Sequence, residues 1–375
     1  MELELQGDQE LFVETTRRFL ETECPLTVVR ALDGDPIGFD RDYWRQGAQL
    51  GWTTMLVPEE LGGGSVSGAG LLDLVLVAEE MGRLVSPGPL LPVNVVADTL
   101  ARSGSPAQQE AELEPIVTGD RVVSWAFSEP DGRWESAGVA LGAEEHDGSW
   151  MLSGTKSYVQ DAAVADSFLV TARTGEGLTQ FLVPSETEGV TVSPRQSLDI
   201  TRRFGDLEFT DVTVDASTVV GTVGDAAADV ERQLHVALTL QNAETVGAVN
   251  RVYEFTLEYA KDRVAFGRPI GSYQALKHRF ADMKMWLEAC NATAAASARA
   301  VQAEGEDASE LVSIAASYIG DRAPAMVQDC VQLHGGIGVT WEHDLHLYLR
   351  RVAQNSALYG SAREHRERLA TLLGV

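Results

Sequence analysis

Tyr259-Ala260-Lys261-Asp262-Arg263-Val264-Ala265-Phe266-Gly267-Arg268-Pro269-Ile270, followed by Gln274, and further on Gln332-Leu333-His334-Gly335-Gly336-Ile337-Gly338, carry the strongest signals in the chain. Arg263 precedes Phe266-Gly267 at a predicted helix end, where a guanidinium can clamp phosphate oxygens through two donors at once. Phe266 can cover an aromatic ring, and Gln274 can bond the polar edge of a nucleotide. Taken alone, these residues read equally well as surface and packing groups. Gln332 with Gly335, Gly336 and Gly338 adds an amide and a backbone that a phosphate or ribose can approach without obstruction. A helix-ending glycine turn has the same composition.

Working outward, the pattern changes twice. Up to about residue 119 the chain reads as helices: Leu11-Phe12, Phe19-Leu20, Trp44 and Leu50 recur at roughly helical spacing, and residues 71–81 are strongly apolar. Between them, Pro58-Glu59-Glu60-Leu61-Gly62-Gly63-Gly64 is a breaker cluster that predicts a loop. Residues 120–224 read as a small β domain, with β-prone runs at 122–127, 150–153, 168–172, 180–183 and 190–192. The segment 207–212 alternates apolar and polar residues as a half-buried strand does, and Asp147-Gly148 and Thr174-Gly175-Glu176-Gly177 supply turns. From 225 to 375 the pattern is helical again. Leu276, Phe280, Met283, Leu287 and Cys290 form a stripe at steps of four and three, and the last helix carries Leu369, Leu372 and Leu373 on its apolar side.

Composition narrows the function classes. At 375 residues, with 44% hydrophobic and 23% charged residues, the chain can bury the core of two or three domains. A formal net charge of −27 argues against a nucleic-acid surface, which would concentrate Lys and Arg. Cys24, Cys290 and Cys330 are far apart and show no CxxC spacing, so neither a disulfide framework nor a metal site is suggested. Residues 2–10 are polar rather than leader-like, and no apolar run approaches membrane-spanning length. These features give the expectation of a cytoplasmic protein with no membrane partner.

The two clusters, in this order behind a helix–β–helix organisation, resemble the acyl-CoA dehydrogenase family. Further matches run over nearly the whole chain: Pro58-Glu59-Glu60-Leu61-Gly62-Gly63, Ser128-Glu129-Pro130, Leu152-Ser153-Gly154-Thr155-Lys156 and Arg203-Phe204-Gly205. The resemblance implies an α+β fold with an N-terminal helical domain, a middle β-barrel-like domain and a C-terminal four-helix bundle. It also implies FAD as cofactor, an acyl-CoA substrate, and an electron-transfer flavoprotein or similar acceptor. Arg263, Phe266, Gln274, Gln332, Gly335 and Gly336 would then reach a neighbouring subunit's FAD, with Ser128 and Ser361 as further cofactor contacts.

The family's reaction needs a carboxylate to take a proton from the acyl α-carbon while hydride leaves the β-carbon. Carried over without gaps from Gln332, the usual Glu falls on Tyr359 in Leu358-Tyr359-Gly360-Ser361; the alternative position, counted back from Phe266, falls on Ala237, with Leu238 after it. A phenol with a pKa of about 10 is a poor acceptor at neutral pH. The flavin-facing pattern departs as well. Where the family continues Thr-Glu-Pro with small residues, Asp131-Gly132-Arg133-Trp134-Glu135 follows Pro130, and the usual Trp-Ile-Thr-Asn reads Tyr158-Val159-Gln160-Asp161.

The combination resembles the base-lacking subunit of heteromeric, actinobacterial-type acyl-CoA dehydrogenases. It gives the expectation of an α2β2 enzyme in which this chain completes the FAD site and a second acyl-CoA dehydrogenase-like subunit supplies the catalytic Glu. Two other readings stay open at this point: a homo-oligomeric dehydrogenase with an atypical base, for which Glu244 is the candidate, and a scaffold subunit without flavin.

Overall fold

The computed structural model describes Met1 and residues 3–375. Helices come first: α1 (Gly7–Glu23), α2 (Leu26–Ala31), α3 (Arg41–Gln49), α4 (Gly70–Arg83), α5 (Leu90–Ser103) and α6 (Pro106–Val117). Strands follow: β1 (Val123–Ala126), β2 (Gly142–His146), β3 (Ser149–Gln160), β4 (Ser167–Arg173), β5 (Leu178–Pro184), β6 (Val190–Arg195), β7 (Phe204–Asp215) and β8 (Val219–Val220). The chain continues through α7 (Ala227–Asp262), a short hairpin of β9 (Val264–Ala265) and β10 (Arg268–Pro269), and helices α8 (Gln274–Gln302), α9 (Ala308–His334), α10 (Leu345–Asn355) and α11 (Ala362–Leu373). This is the α+β order the sequence pattern predicts. Among the described residues, no helix is long and apolar enough to cross a membrane.

Two compact units divide these elements: Met1–Arg30, Val75–Ser86 and Leu238–Val375 form one, and Ala31–Leu74 with Pro87–Ala237 form the other. The second holds the sheet, ordered β6-β7-β3-β2-β4-β5-β8, with β1 added in parallel to β4. Asp147 and Gly148, at φ +51° and +83°, make the tight turn joining β2 to β3, the left-handed pair that matches strand twist. Phe168, Phe181, Leu207 and Val212 fill the sheet's core. Pro58-Glu59-Glu60-Leu61, predicted as loop, contains a short 3₁₀ turn at Glu59–Leu61, which Gly62 ends at φ +86°.

In the helical unit the predicted stripe on α8 is buried at Phe280, Met283, Leu287 and Cys290. Helices α4 and α7 cross with their backbones touching. A β-carbon at Gly82 would lie 1.9 Å from the Glu244 carbonyl oxygen, and one at Gly247 would lie 2.0 Å from that of Glu79. Only glycine permits that approach, and it sets the depth at which Glu244 sits. The apolar side expected on α11 differs from expectation. Leu372 and Leu373 are 50% and 59% exposed, with nothing among the described residues packed over that helix end.

Candidate active site

Two contacts bring the deciding motifs into one corner of the helical unit. Tyr259, in the last turn of α7, stacks on His334 at the end of α9, with ring centroids 4.3 Å apart and planes 20° apart. Its hydroxyl donates to the His334 carbonyl at 3.4 Å. The His334 ring is held in turn by Nδ1 donating to the Cys330 carbonyl at 2.8 Å, and burial lowers its pKa, which favours the neutral ring that stacks. Arg263 and Gln332 therefore emerge from neighbouring helix ends.

Arg263 follows directly on α7, its N–H donating to the Tyr259 carbonyl at 2.8 Å and its carbonyl accepting from Ile270 at 2.8 Å. Between them the β9–β10 hairpin turns at Phe266 and Gly267, with φ +53° and +83°, and leaves the Phe266 ring 98% exposed. A phenylalanine in the left-handed region and in full solvent is costly on both counts. Arg268 lies 3.9 Å over Tyr273, whose hydroxyl donates to the Ala265 carbonyl at 3.0 Å, so the hairpin is braced from behind. Gln274 opens α8 and is exposed, as is Gln332. Gly335, at φ +63°, ends α9, and the space beyond Gly335 and Gly336 is open. An exposed guanidinium, an exposed amide, an uncovered aromatic ring and an unobstructed backbone fit a nucleotide diphosphate approaching from outside the chain.

The positions where a base is expected look different. Ala237 on α7 is fully buried, and Leu238 is 5% exposed. Tyr359 is 6% exposed, sits at φ +61°, and accepts on its carbonyl from the His365 ring at 3.1 Å. Glu244 is bound from both sides: Arg351 Nη1 donates to Oε1 at 2.5 Å and Asn355 Nδ2 to Oε2 at 3.0 Å. Arg351 has no exposed surface, and its Nη2 also donates to the carbonyls of Val85 and Ser86 at 3.3 Å. Gln241 Nε2 donates to the carbonyls of Asn355 and Leu358 at 2.8 and 3.2 Å, fixing the turn just before Tyr359. The space left among Leu238, Gln241, Asn242, Asn355 and Gly360 is a cavity of about 10 Å³, room for one water. Gln241 Oε1 and Asn242 Nδ2 are buried there without a partner among the described residues, which suits a single bound water.

Ser128 and Ser361 both have local partners. Ser128 Oγ donates to the Arg133 carbonyl at 3.3 Å. Ser361 caps α11 in a reciprocal box with Glu364, donating from Oγ to Oε2 at 2.6 Å. Trp134 lies 6.2 Å from Tyr158, and the Arg195 guanidinium is 4.2 Å over that ring. Sequence reasoning missed Arg351 and Lys156, both without solvent exposure. For Arg351 the available signal was an Arg on the apolar side of α10, beside Tyr348 and Val352.

A helix–sheet–helix chain with this corner has the build of a flavin-dependent oxidoreductase. The Acyl-CoA dehydrogenase N-terminal, middle and C-terminal domain families match residues 6–120, 124–212 and 227–373, and the chain belongs to the acyl-CoA dehydrogenase family of FAD-dependent oxidoreductases. It is 31% identical over 368 residues to the acyl-CoA dehydrogenase IpdE2 of Mycolicibacterium smegmatis, covering 97% of this chain and 98% of that one. It is 32% identical over 352 residues to the acyl-CoA dehydrogenase FadE27 of Mycobacterium tuberculosis, with 92% and 91% coverage. Among solved structures, the ChsE4-ChsE5 complex from Mycobacterium tuberculosis superposes with a TM-score of 0.90 at 29% identity, covering 100% of this chain and 99% of that one.

Proposed function

We propose that this chain is one subunit of a heteromeric acyl-CoA dehydrogenase, of α2β2 form, which completes the FAD site while a partner subunit supplies the catalytic Glu and the acyl pocket. The observation that carries this reading is the chemistry of the two positions where the base is expected: Ala237 and Tyr359 are buried and neither is a carboxylate. Glu244 is then an anchor of the fold. Arg351 occupies one of its oxygens and Asn355 the other, so neither is turned toward an open site.

In the same reading Arg263 holds phosphate oxygens of FAD, Phe266 shields a ring, and Gln332 with the Gly335-Gly336 backbone receives the remaining polar edge. FAD, when bound, supplies the two-electron acceptor for the hydride leaving the β-carbon. The likeness to a complex of two named components, ChsE4 and ChsE5, supports the heteromer. Electrons would pass on to an electron-transfer flavoprotein or a similar acceptor.

Flavin content tests the reading. The chain purified alone is expected to carry little FAD, and co-expression with a partner that has the missing Glu is expected to give a full complement of FAD per heterodimer, read from flavin absorbance against protein concentration. Full FAD occupancy together with turnover by this chain alone would overturn it.

A further inference from the structure

Lys156, on β3 in the sheet unit, is a lysine without solvent exposure. Its Nζ donates to Glu129 Oε1 at 2.8 Å and to the Phe127 carbonyl at 3.0 Å. That same Glu129 oxygen accepts the backbone N–H groups of Ala140 and Leu141 at 2.9 and 2.8 Å. One carboxylate oxygen thus joins the beginning of the 128–140 loop to its end, and the ammonium group joins both to the strand beneath. Arg173 adds a second tie, donating to the carbonyls of Val139 and Ser136 at 2.8 and 3.1 Å.

Burying an ammonium is unfavourable, and here burial pulls the Lys156 pKa down to about 8 against the raising effect of Glu129. An apolar pair of similar volume would pack the sheet at least as well. What apolar side chains cannot do is receive two backbone N–H groups and a cation at one point, which fixes both loop ends in direction as well as distance. The loop so held carries Trp134 to within 6.2 Å of Tyr158. Tyr158 is itself strained, at φ +57°, where the pairing of β3 with β7 slips between Lys156 and Val159, and a strained residue persists only where its surroundings over-determine it.

We propose that Glu129 and Lys156 are positioning residues: a buried clasp that sets the course of the 128–140 loop and, through it, the place of Trp134 against Tyr158. The proposal holds whichever subunit carries the catalytic base. Its test uses the full chain labelled with 5-fluorotryptophan, which gives seven fluorine resonances for its seven tryptophans, with that of Trp134 assigned by Trp134→Phe. In Glu129→Ala and Lys156→Met the Trp134 resonance is expected to move to the position of a solvent-exposed indole while the others stay. Tryptic cleavage after Arg133 is expected to accelerate by at least about tenfold, equivalent to about 1.4 kcal/mol of loop closure. Glu129→Gln, which keeps an acceptor but loses the charge, guards against a misfolded stronger variant and is expected to fall between them and the parent. An unmoved Trp134 resonance with unchanged cleavage after Arg133 would overturn the proposal. So would a collapse of all seven resonances together in every variant, since that would make the pair a general stabiliser.

Discussion

Two regions of the helical unit handle their polar groups in opposite ways. At the corner where α7 and α9 end, Arg263, Phe266 and Gln332 stand exposed, and the glycines beside them leave the backbone open. Around Glu244 the charges are buried, with Arg351 bound to one carboxylate oxygen and Asn355 to the other. Exposed recognition groups on braced backbone suit a ligand that arrives from a neighbour. A buried carboxylate with a cation and an amide on its two oxygens suits a role in holding helices together. On the proposed function, the contrast separates residues kept for a ligand from residues kept for the fold.

If the interior is structural, breaking it should have the largest effect. Arg351→Met leaves the Glu244 carboxylate buried without its cation and is expected to cost about 3–5 kcal/mol of folding stability, measured by denaturant unfolding. The double variant Glu244→Leu with Arg351→Met removes both charges and is expected to regain most of that loss. A single variant within a few tenths of the parent would mean that the pair is not what holds the interior shut.

The exposed corner should respond in the opposite sense. Arg263→Ala in the co-expressed assembly is expected to weaken FAD retention by roughly 1.5–3 kcal/mol, the range for a charge-assisted contact, with the chain's own thermal melt unchanged. Loss of the fold with unaltered flavin affinity would show Arg263 to be structural and would erase the contrast.

How far the sequence carried this account differs between the same two regions. The corner was legible because its residue types stand at short separation: Arg263, Phe266, Gln332 and the glycines each stand where local rules for helix ends and phosphates look for them. The α8 stripe and the Asp147-Gly148 turn were legible for the same reason, being local periodicity and local turn chemistry. The interior was not. Arg351 and Glu244 are 107 residues apart, and no pattern on either helix announces a partner across the fold. The same holds for Lys156 and Glu129, which meet across 27 residues. Leu372 and Leu373 read as the apolar side of the last helix, yet both stand exposed. Glu244 looked like a candidate base because sequence places an acid on the right helix without saying what is bound to it.

The smallest expected effect is also the most decisive. Tyr359 occupies the position where the family's base is expected, and in the assembled enzyme Tyr359→Phe should leave turnover of an acyl-CoA within a few-fold of the parent, with FAD content and assembly unchanged. A loss of about a hundredfold or more, the size associated with removing a general base, would contradict the account and place the chemistry in this subunit.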